Sequence, residues 1–354
     1  MSTYALIADL PVVIEGRSHV RLQRPTSSGW DRVTTEIRLT GGGHEGRGED
    51  VWTDPERHDD YAAGRVPDLT GRWTIASLGE RLQRDDVFPG AADPGGPLFR
   101  RWGLETAALD LALRQAGRSL ADALGRAPRP IRFAQSVRLG EPSTVAPVRE
   151  RLALDPGARF KLDPVDDWDD TLLTQLVAEG PELVQVLDFK AHYRGTAVDQ
   201  HAGPDLYARC IAAFPAALIE DPAMTPAVLP VLRPHMDRVT WDAPIHAVAD
   251  VTALAHPPRV LNCKPCRFGG LRALMDFYDH CDAHGIALYG GGFFELGVGR
   301  GQIQYLASLF HPDGPNDVAP RGYHPLHPRP GLPTSPLAPP DPAVPGFRLA
   351  DADA

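Results

Sequence analysis

The sequence predicts an α/β fold, in which a (β/α) barrel follows a smaller α+β domain. From about Pro130 onward, short apolar runs alternate with helix-like segments, as they do in successive βα units. The chain of 354 residues exceeds one ordinary domain, but it suits a barrel of roughly 200 to 250 residues with a small partner. We therefore predict an N-terminal α+β domain over 1–128, a barrel over 129–324 and a proline-rich C-terminal segment over 325–354.

The N-terminal domain is predicted to combine a β-meander with one long helix. Apolar and polar residues alternate in short runs, as at Val12–Ile14 and Thr35–Leu39, and the glycines at 41–43 signal a turn. Leucine and alanine then recur near helical spacing over 100–125, which predicts an amphipathic helix. Strands followed by a helix make a small α+β domain.

Eight strands are predicted in the barrel region. So many sequential βα units favour a closed barrel over an open, doubly wound sheet. Helices are expected between the strands, for example at 171–178 and 271–284. The strands are expected near 131–139, 158–163, 183–189, 216–220, 237–242, 258–264, 285–290 and 315–319.

The tail over 325–345 is too rich in proline to form a helix or a central strand. Apolar side chains nevertheless give it anchor points, so we expect an extended strap that lies on the body of the protein. These anchors are Leu332, Leu337, Val344 and Phe347.

Composition limits the class of protein. Hydrophobic residues make up 43% and charged residues 23%, as in a globular protein with a sizeable core. The formal net charge of −10 argues against nucleic-acid binding, and no apolar stretch is long enough to cross a membrane. The start, Met1–Leu10, lacks the features of a secretory leader, so a cytoplasmic location is expected.

Cysteine use fits a reducing compartment, because a chain of this length has only four, all in its second half. Cys263 and Cys266 form a CxxC that could serve as a redox pair or as half of a zinc site. No second CxxC or nearby HxxxH completes a zinc set, so two small buried residues are the favoured interpretation.

Charged residues stand at the ends of five successive predicted strands. They are Lys161, Asp188, Glu220, Asp242 and Lys264, each after an apolar run and separated by 22 to 32 residues, about one βα unit. Barrel enzymes build their active sites at the carboxyl ends of their strands. These five residues therefore form the candidate site.

Three converging carboxylates would repel each other without a cation between them. Their oxygen atoms suit Mg²⁺, so Asp188, Glu220 and Asp242 are the predicted metal ligands. The lysines on either side could hold a substrate carboxylate or move a proton at its α-carbon. A lysine base must lose its proton near neutral pH, so we expect the metal charge and partial burial to lower the pKa of Lys264.

The ordered set resembles the enolase superfamily, in particular its branch of muconate-lactonising, o-succinylbenzoate synthase and dipeptide-epimerase enzymes. The segment Lys264–Gly270 resembles the sixth-strand motif with an acid/base lysine, and Gly290–Arg300 resembles the glycine-rich segment after the seventh strand. Glu36–Glu49 and Leu104–Gly125 are similar to the meander and helix of the capping domain. The resemblance implies a modified (β/α)7β TIM-type barrel, an N-terminal α+β capping domain and Mg²⁺-dependent proton abstraction from a small-molecule carboxylate through a metal-stabilised enediolate.

The chain departs from the family pattern at two positions. The family usually has Lys-x-Lys after the second strand, whereas this chain has Lys161-Leu162-Asp163, so either Lys161 transfers the proton or Asp163 replaces the base. Lys190 stands where asparagine is common. It could be an acid/base, a clamp for the substrate carboxylate or a counter-charge for the ligands. The catalytic candidates are therefore Lys161, Lys264, Lys190 and Asp163.

The candidate substrate-binding residues lie on other strands and loops. Glu295 either bonds Lys264 or the substrate, or stabilises its loop, and Gly291 and Gly292 belong to the glycine-rich segment. Arg138, on the first strand, either contacts substrate or forms a packing ion pair. The residues that follow the third strand, His192, Tyr193 and Arg194, either line the mouth of the site or are solvated.

These features favour β-elimination by an o-succinylbenzoate synthase-like lyase. The loss of the second lysine of Lys-x-Lys weakens two-base racemisation, but a racemase or epimerase of dipeptides or N-acyl amino acids remains the alternative. A degenerate, non-catalytic barrel that binds a carboxylate is a further alternative, and a homo-oligomer is left open.

Overall fold

The computed structural model describes residues 2–26, 31–84, 95–193, 195 and 202–349. Its N-terminal part is built on an antiparallel meander, β2–β3–β4, beside a two-stranded antiparallel sheet of β1 and β5. Gly42 and Gly43 form the β3–β4 turn with φ angles of 57° and 77°, which glycine adopts without strain. The strands are β1 (Pro11–Ile14), β2 (Gly16–Pro25), β3 (Asp31–Gly41), β4 (His44–Asp50) and β5 (Gly71–Thr74).

Three helices complete this part: α1 (Ile75–Arg84), α2 (Gly96–Gln115) and α3 (Leu120–Leu124). Helix α2 packs so closely on β4 that a Cβ atom on Gly48 would lie 2.1 Å from a backbone oxygen of α2.

The prediction of one helix over 100–125 is wrong, because α2 ends before Gly117. Gly117 has a φ of 64°, and the N–H of Arg118 bonds the carbonyl of Leu113 at 2.9 Å, which closes the last turn of α2.

The C-terminal part is a closed parallel barrel. Strands β6 to β10 form one parallel sheet, and β11 pairs with β12. The N–H of Asn262 joins β11 to the carbonyl of Trp241, and residues 316–317 act as the eighth strand by bonding Gly290 and Ala134 at 2.7 and 2.8 Å. The strands are β6 (Gln135–Val137), β7 (Phe160–Leu162), β8 (Val184–Asp188), β9 (Leu218–Glu220), β10 (Val239–Thr240), β11 (Val260–Cys263) and β12 (Ala287–Gly290).

Helices follow the barrel strands, and each observed strand falls in a predicted stretch but is shorter. The helices are α4 (Ala146–Leu154), α5 (Asp170–Glu179), α6 (Pro204–Ala213), α7 (Leu229–Leu232), α8 (Val248–Ala253), α9 (Leu271–Ala283) and α10 (Val298–Phe310). Within the ranges that the structure describes, none of the helices has the length and apolar character needed to cross a bilayer.

Two buried carboxylates of the N-terminal part hold the first turns of barrel helices. Glu49, on β4, accepts the backbone N–H groups of Leu296, Gly297 and Gly299 at 2.7 to 3.0 Å, at the start of α10. Glu105, on α2, accepts the N–H of the first residue of α9 at 2.7 Å. Because these amides have no partner within their own helices, the two carboxylates join the cap to the barrel.

The tail crosses the barrel as an extended segment. Leu337 exchanges two backbone hydrogen bonds with Ile131, and Phe347 is fully buried beside Tyr305. Leu337 is buried and Leu332 packs against the same cluster. Val344, however, is 53% exposed, so its prediction as an anchor is wrong: its side chain faces water.

Candidate functional site

The five strand-end residues converge at the carboxyl end of the barrel. Asp188 and Glu220 are paired in register at the ends of β8 and β9, and Asp242 follows β10. Lys161 lies on β7, one strand before the carboxylates, and Lys264 follows β11, one strand after them. The three carboxylates and Lys161 are each at most 1% exposed.

Glu220 lies at the centre of a buried polar cluster. The Lys161 ammonium is 2.6 Å from Glu220 Oε1 and 3.0 Å from Asp188 Oδ2. Tyr289 donates its hydroxyl to Glu220 Oε2 at 2.6 Å, and the Asn262 amide donates to Oε1 at 3.1 Å. Both oxygens of Glu220 therefore accept hydrogen bonds.

Asp242 is held by a pair of cations. The Lys264 ammonium is 2.8 Å from Asp242 Oδ2, and the Arg267 guanidinium is 2.7 Å from Oδ1. Tyr193 donates its hydroxyl to Oδ2 at 3.1 Å and accepts a hydrogen bond from Arg267. Tyr193 was predicted either to line the mouth of the site or to be solvated, and Arg194 lies outside the described residues.

Asp221 positions the chain at Asp242. Its two carboxylate oxygens accept the backbone N–H groups of Asp242 and Ala243, each at 2.9 Å. It does so from a left-handed backbone conformation, with a φ of 45°, which non-glycine residues adopt at a cost. Burial, with repulsion from Asp242 and Asp188, raises the pKa of Asp221 to about 7.

Lys190 joins the first cluster from the other side. Its ammonium is 2.6 Å from Asp188 Oδ2, the same oxygen that Lys161 contacts, and 3.3 Å from Asp163 Oδ1. Arg138 lies 3.6 Å from the other oxygen of Asp163. Two catalytic candidates, Lys161 and Lys190, therefore contact Asp188, and a third, Asp163, contacts Lys190.

Burial and neighbouring charges pull the pKa values of the carboxyl groups apart. Burial acts to raise the pKa of Asp188, but Lys161 and Lys190 outweigh it and lower that pKa to about 2. Burial raises the pKa of Glu220 to about 8, because Lys161 offsets the burial only in part and Asp188 adds repulsion. The carboxylate with two ammonium partners is therefore the more acidic of the pair.

The lysine beside Asp242 departs from expectation. A lysine base beside a metal ion is expected to have a lowered pKa. Burial does act in that direction, but the Asp242 carboxylate outweighs it and raises the pKa of Lys264. In this arrangement Lys264 is an ammonium ion.

A cavity of about 90 Å³ opens onto all three lysines. Of the predicted substrate-binding residues, Gly292 lines it. A Cβ on Gly291 would lie 2.9 Å from the Lys264 side chain, so glycine permits this close approach. Glu295 instead bonds Arg300 at 2.9 Å, and Arg138 pairs with Asp163; neither lines the cavity. The other lining residues are Gln135, Ser136, Phe294, Arg300, Asp317, Ala319, Tyr323 and His324.

Gln135 was not singled out by the sequence analysis. It is 1% exposed, and neither atom of its side-chain amide has a hydrogen-bond partner among the described residues. A buried amide without partners costs free energy, so a ligand in the cavity would find a donor and an acceptor there. It is the first residue of β6 and not at the carboxyl end of a strand, so the strand-end pattern did not include it.

One sequence signal for the site was overlooked. Of the 36 Lys and Arg residues in the whole chain, only three are lysines. They are Lys161, Lys190 and Lys264, and all three line the cavity.

The donor set of Asp188, Glu220 and Asp242 fits a hard divalent cation, because carboxylate oxygens are the ligands that Mg²⁺ prefers. In the part of the chain that the structure describes, however, no three His, Cys, Asp or Glu side chains are grouped closely enough to hold an ion as they stand. Ammonium groups lie against these oxygens instead, from Lys161 and Lys190 at Asp188 and from Lys264 at Asp242. The carboxylates thus form a cation site whose cations are lysine side chains.

Comparison with known proteins identifies relatives of this chain. A family described as the C-terminal domain of a domain of unknown function, DUF8230, matches residues 127–325, and its N-terminal counterpart matches residues 5–123. An N-succinylamino acid racemase from Amycolatopsis sp is 30% identical over 68% of this chain and 65% of its own length. An o-succinylbenzoate synthase from Bacillus subtilis (strain 168) is 25% identical over 72% of this chain and 66% of its own length.

The matches to both curated relatives thus span slightly less than two thirds of those proteins. The fold is shared with the crystal structure of an enolase superfamily member from Enterococcus faecalis V583, with a TM-score of 0.63 and 23% identity over 87% of this chain and 86% of that one. Its capped barrel has the fold of that enolase superfamily member, and by its sequence this chain belongs to the DUF8230 family.

Proposed function

We propose that this chain removes the proton α to the carboxylate of a small-molecule substrate and then expels a leaving group from the β-carbon. The observation that carries the proposal is the position of Lys161 and Lys264, one strand before and one strand after three buried carboxylates, with both lysines lining one cavity. A substrate in that cavity would have an amine on each side.

Members of the enolase superfamily generally use Mg²⁺. We propose that Asp188, Glu220 and Asp242 hold it here, since their donor chemistry suits it. When bound, the ion supplies positive charge against the negative charge that develops on the substrate carboxylate. Tyr289, Asn262 and Asp221 act through the ligands, because their hydrogen bonds fix Glu220 and the chain at Asp242.

Proton transfer falls to Lys264. Lys264 is an ammonium ion while it is paired with Asp242, so it first loses a proton to solvent when that ion pair opens. As a free amine it then takes the α-proton, and the electron pair of the broken C–H bond moves toward the substrate carboxylate. The electron pair then returns to form a double bond between the α- and β-carbons, the bond from the β-carbon to its hydroxyl oxygen breaks, and the same ammonium gives its proton to that oxygen, which departs as water. One lysine thus serves as base and then as acid, with Lys161 as the fixed positive charge on the opposite side.

Other residues of the cavity position the substrate. Gln135 offers a free amide donor and acceptor, and Arg300 brings a buried guanidinium whose hydrogen bond to His324 is 2.8 Å long. Burial, together with Arg300, lowers the pKa of His324 well below its usual range, so its neutral ring accepts that bond. These groups would recognise polar parts of the substrate away from the reacting carbon.

Racemisation of N-acyl amino acids is the second candidate. It is favoured because Lys161 and Lys264 both line the cavity, so that one could remove a proton and the other return it on the opposite face. The relative that is 30% identical is itself named an N-succinylamino acid racemase.

The test is exchange of the α-proton in D₂O, followed by NMR with Mg²⁺ and a panel of carboxylates that includes N-succinyl amino acids. We expect exchange with the parent, and a loss of about 10² to 10⁴-fold in Lys264→Ala. Loss of chirality together with exchange would indicate racemisation, and a new alkene would indicate elimination. Exchange that survives both Lys264→Ala and Lys161→Ala would refute these roles and leave Lys190 or Asp163 as the base.

A further inference from the structure

We propose that Lys190 is a built-in competitor of the divalent cation, and that its ammonium keeps the carboxylate cluster assembled when no metal is bound. The inference rests on the proposed metal site at Asp188, Glu220 and Asp242. It goes further because it assigns to the side chain of Lys190 the control of the affinity of this site for a divalent cation.

Lys190 occupies the space in which a cation would contact Asp188. Its ammonium lies 2.6 Å from Asp188 Oδ2, and that oxygen also receives the Lys161 ammonium at 3.0 Å. The backbone N–H of Lys190 bonds the other oxygen, Oδ1, at 3.1 Å. Asp188 Oδ2 therefore already faces two ammonium groups, and Oδ1 accepts a backbone N–H.

The two ammonium ions match a divalent cation in charge. Together they bring two positive charges to a cluster in which Asp163, Asp188 and Glu220 are all buried. Without them these carboxylates would repel each other in a medium that screens charge poorly. A metal ion that entered would have to displace at least one ammonium, and that ammonium would then repel the ion.

The backbone is shaped for this contact. Lys190 has a φ of 50°, in the left-handed region that side-chain-bearing residues rarely adopt, and this conformation folds its side chain back onto Asp188 two residues earlier. Strained conformations of this kind are concentrated at functional sites. Asn would be relieved of strain here, since it tolerates the left-handed region better than lysine does.

The residue type also points to a specific role. Lysine is found in this chain only at the three positions of the site, while arginine provides every other basic side chain apart from histidine. A compact ammonium can share one carboxylate oxygen with a second ammonium, whereas the planar fork of arginine is shaped for two oxygens at once. Position 190 thus carries the more compact of the two permanent cationic side chains, beside Lys161.

The experiment measures Mg²⁺ binding by calorimetry and thermal unfolding with and without Mg²⁺, on the full chain freed of metal with a chelator. Lys190→Met removes the charge and adds no oxygen ligand, and we expect it to bind Mg²⁺ at least about tenfold more tightly than the parent. Its melting temperature without metal should fall and should recover when Mg²⁺ is added. The parent should melt at nearly the same temperature with and without the chelator.

Two further variants show whether an effect comes from the charge at position 190 or from the net charge of the protein. Lys190→Arg keeps the charge and should not bind Mg²⁺ more tightly. Arg149→Met removes a charge from an exposed ion pair with Glu179, and it should change neither readout. It is the matched control for net charge.

The outcomes distinguish this inference from the proposed function. Tight Mg²⁺ binding by the parent that is unchanged or weakened in Lys190→Met would overturn the competitor role and leave the metal site intact. Lys190→Asn, measured as an additional variant, brings a new oxygen ligand to the site. If it binds Mg²⁺ more tightly than the parent while Lys190→Met does not, the gain comes from that ligand and the competitor role is also overturned. Failure of every variant to bind Mg²⁺ would overturn the metal site itself.

Discussion

Replacing Glu105 with glutamine should change how the stability of the protein depends on pH. Glu105 lies on α2, is 3% exposed and bonds the N–H of Leu271 through Oε2. Its other oxygen has no hydrogen-bond partner among the described residues. Burial raises the pKa of Glu105 from 4.5 to about 7, and the bond from Leu271 and the charge of Arg101 offset only part of that effect.

The size of the effect follows from the two pKa values. A difference between 4.5 and about 7 corresponds to about 3 kcal/mol, at about 1.4 kcal/mol for each tenfold change in proton affinity. The folded protein binds this proton more tightly than the unfolded chain. The contribution of the neutral carboxyl is therefore complete below pH 4.5, is lost as the pH rises to about 7, and stays lost above that.

The assay is urea unfolding of the parent and of Glu105→Gln at about pH 4.5 and pH 8, followed by tryptophan fluorescence. Between these conditions the unfolding free energy of the glutamine variant should gain about 3 kcal/mol relative to the parent. Glu56→Gln, which removes an exposed carboxyl, is the control and should follow the parent. Parallel pH dependences for the parent and Glu105→Gln would refute the reasoning.

Three other substitutions test the packing of α2 on β4, the hydrogen bonds that position the proposed metal ligand Asp242, and the role of Gln135 in the cavity. Gly48→Ala places a Cβ atom 2.1 Å from a carbonyl of α2, so it should lower the unfolding free energy by about 1 to 3 kcal/mol; an unchanged melting temperature would contradict this. Asp221→Asn replaces one of two acceptors for the amides at Asp242 and Ala243, so Mg²⁺ affinity should fall by about 10 to 100-fold in calorimetry, with an unchanged circular dichroism spectrum. Gln135→Leu removes a buried amide without partners, so the variant should melt at a higher temperature than the parent. Its KM should also rise, because the substrate loses a contact; if neither the melting temperature nor KM rises, Gln135 does not contact the substrate.

The barrel could be predicted because its strands are buried on both sides. Apolar runs such as Val184–Asp188 stand out against the helical segments between them. The break at Gly117 could not be predicted in the same way, because the apolar spacing continues into α3. A periodic pattern of apolar residues predicts which face of a helix is buried. It does not predict a helix end that depends on a single glycine.

The strand-end residues could be predicted because each charge follows an apolar run. The groups that hold them in place are harder to find. Arg267 and Tyr289 reach Asp242 and Glu220 across 25 and 69 positions of the chain, and such contacts exist only once the barrel has closed. The rarity of lysine is visible in the sequence and points to the same three lysines, Lys190 included, independently of the strand-end pattern.

A crystal structure of the protein grown with Mg²⁺ and a bound carboxylate tests the central claim most directly. We predict one ion in contact with oxygens of Asp188, Glu220 and Asp242, the Lys190 ammonium displaced from Asp188, and the Lys264 nitrogen beside the α-carbon. An ion bound elsewhere, or these three carboxylates still held by the lysines at a saturating Mg²⁺ concentration, would contradict the account.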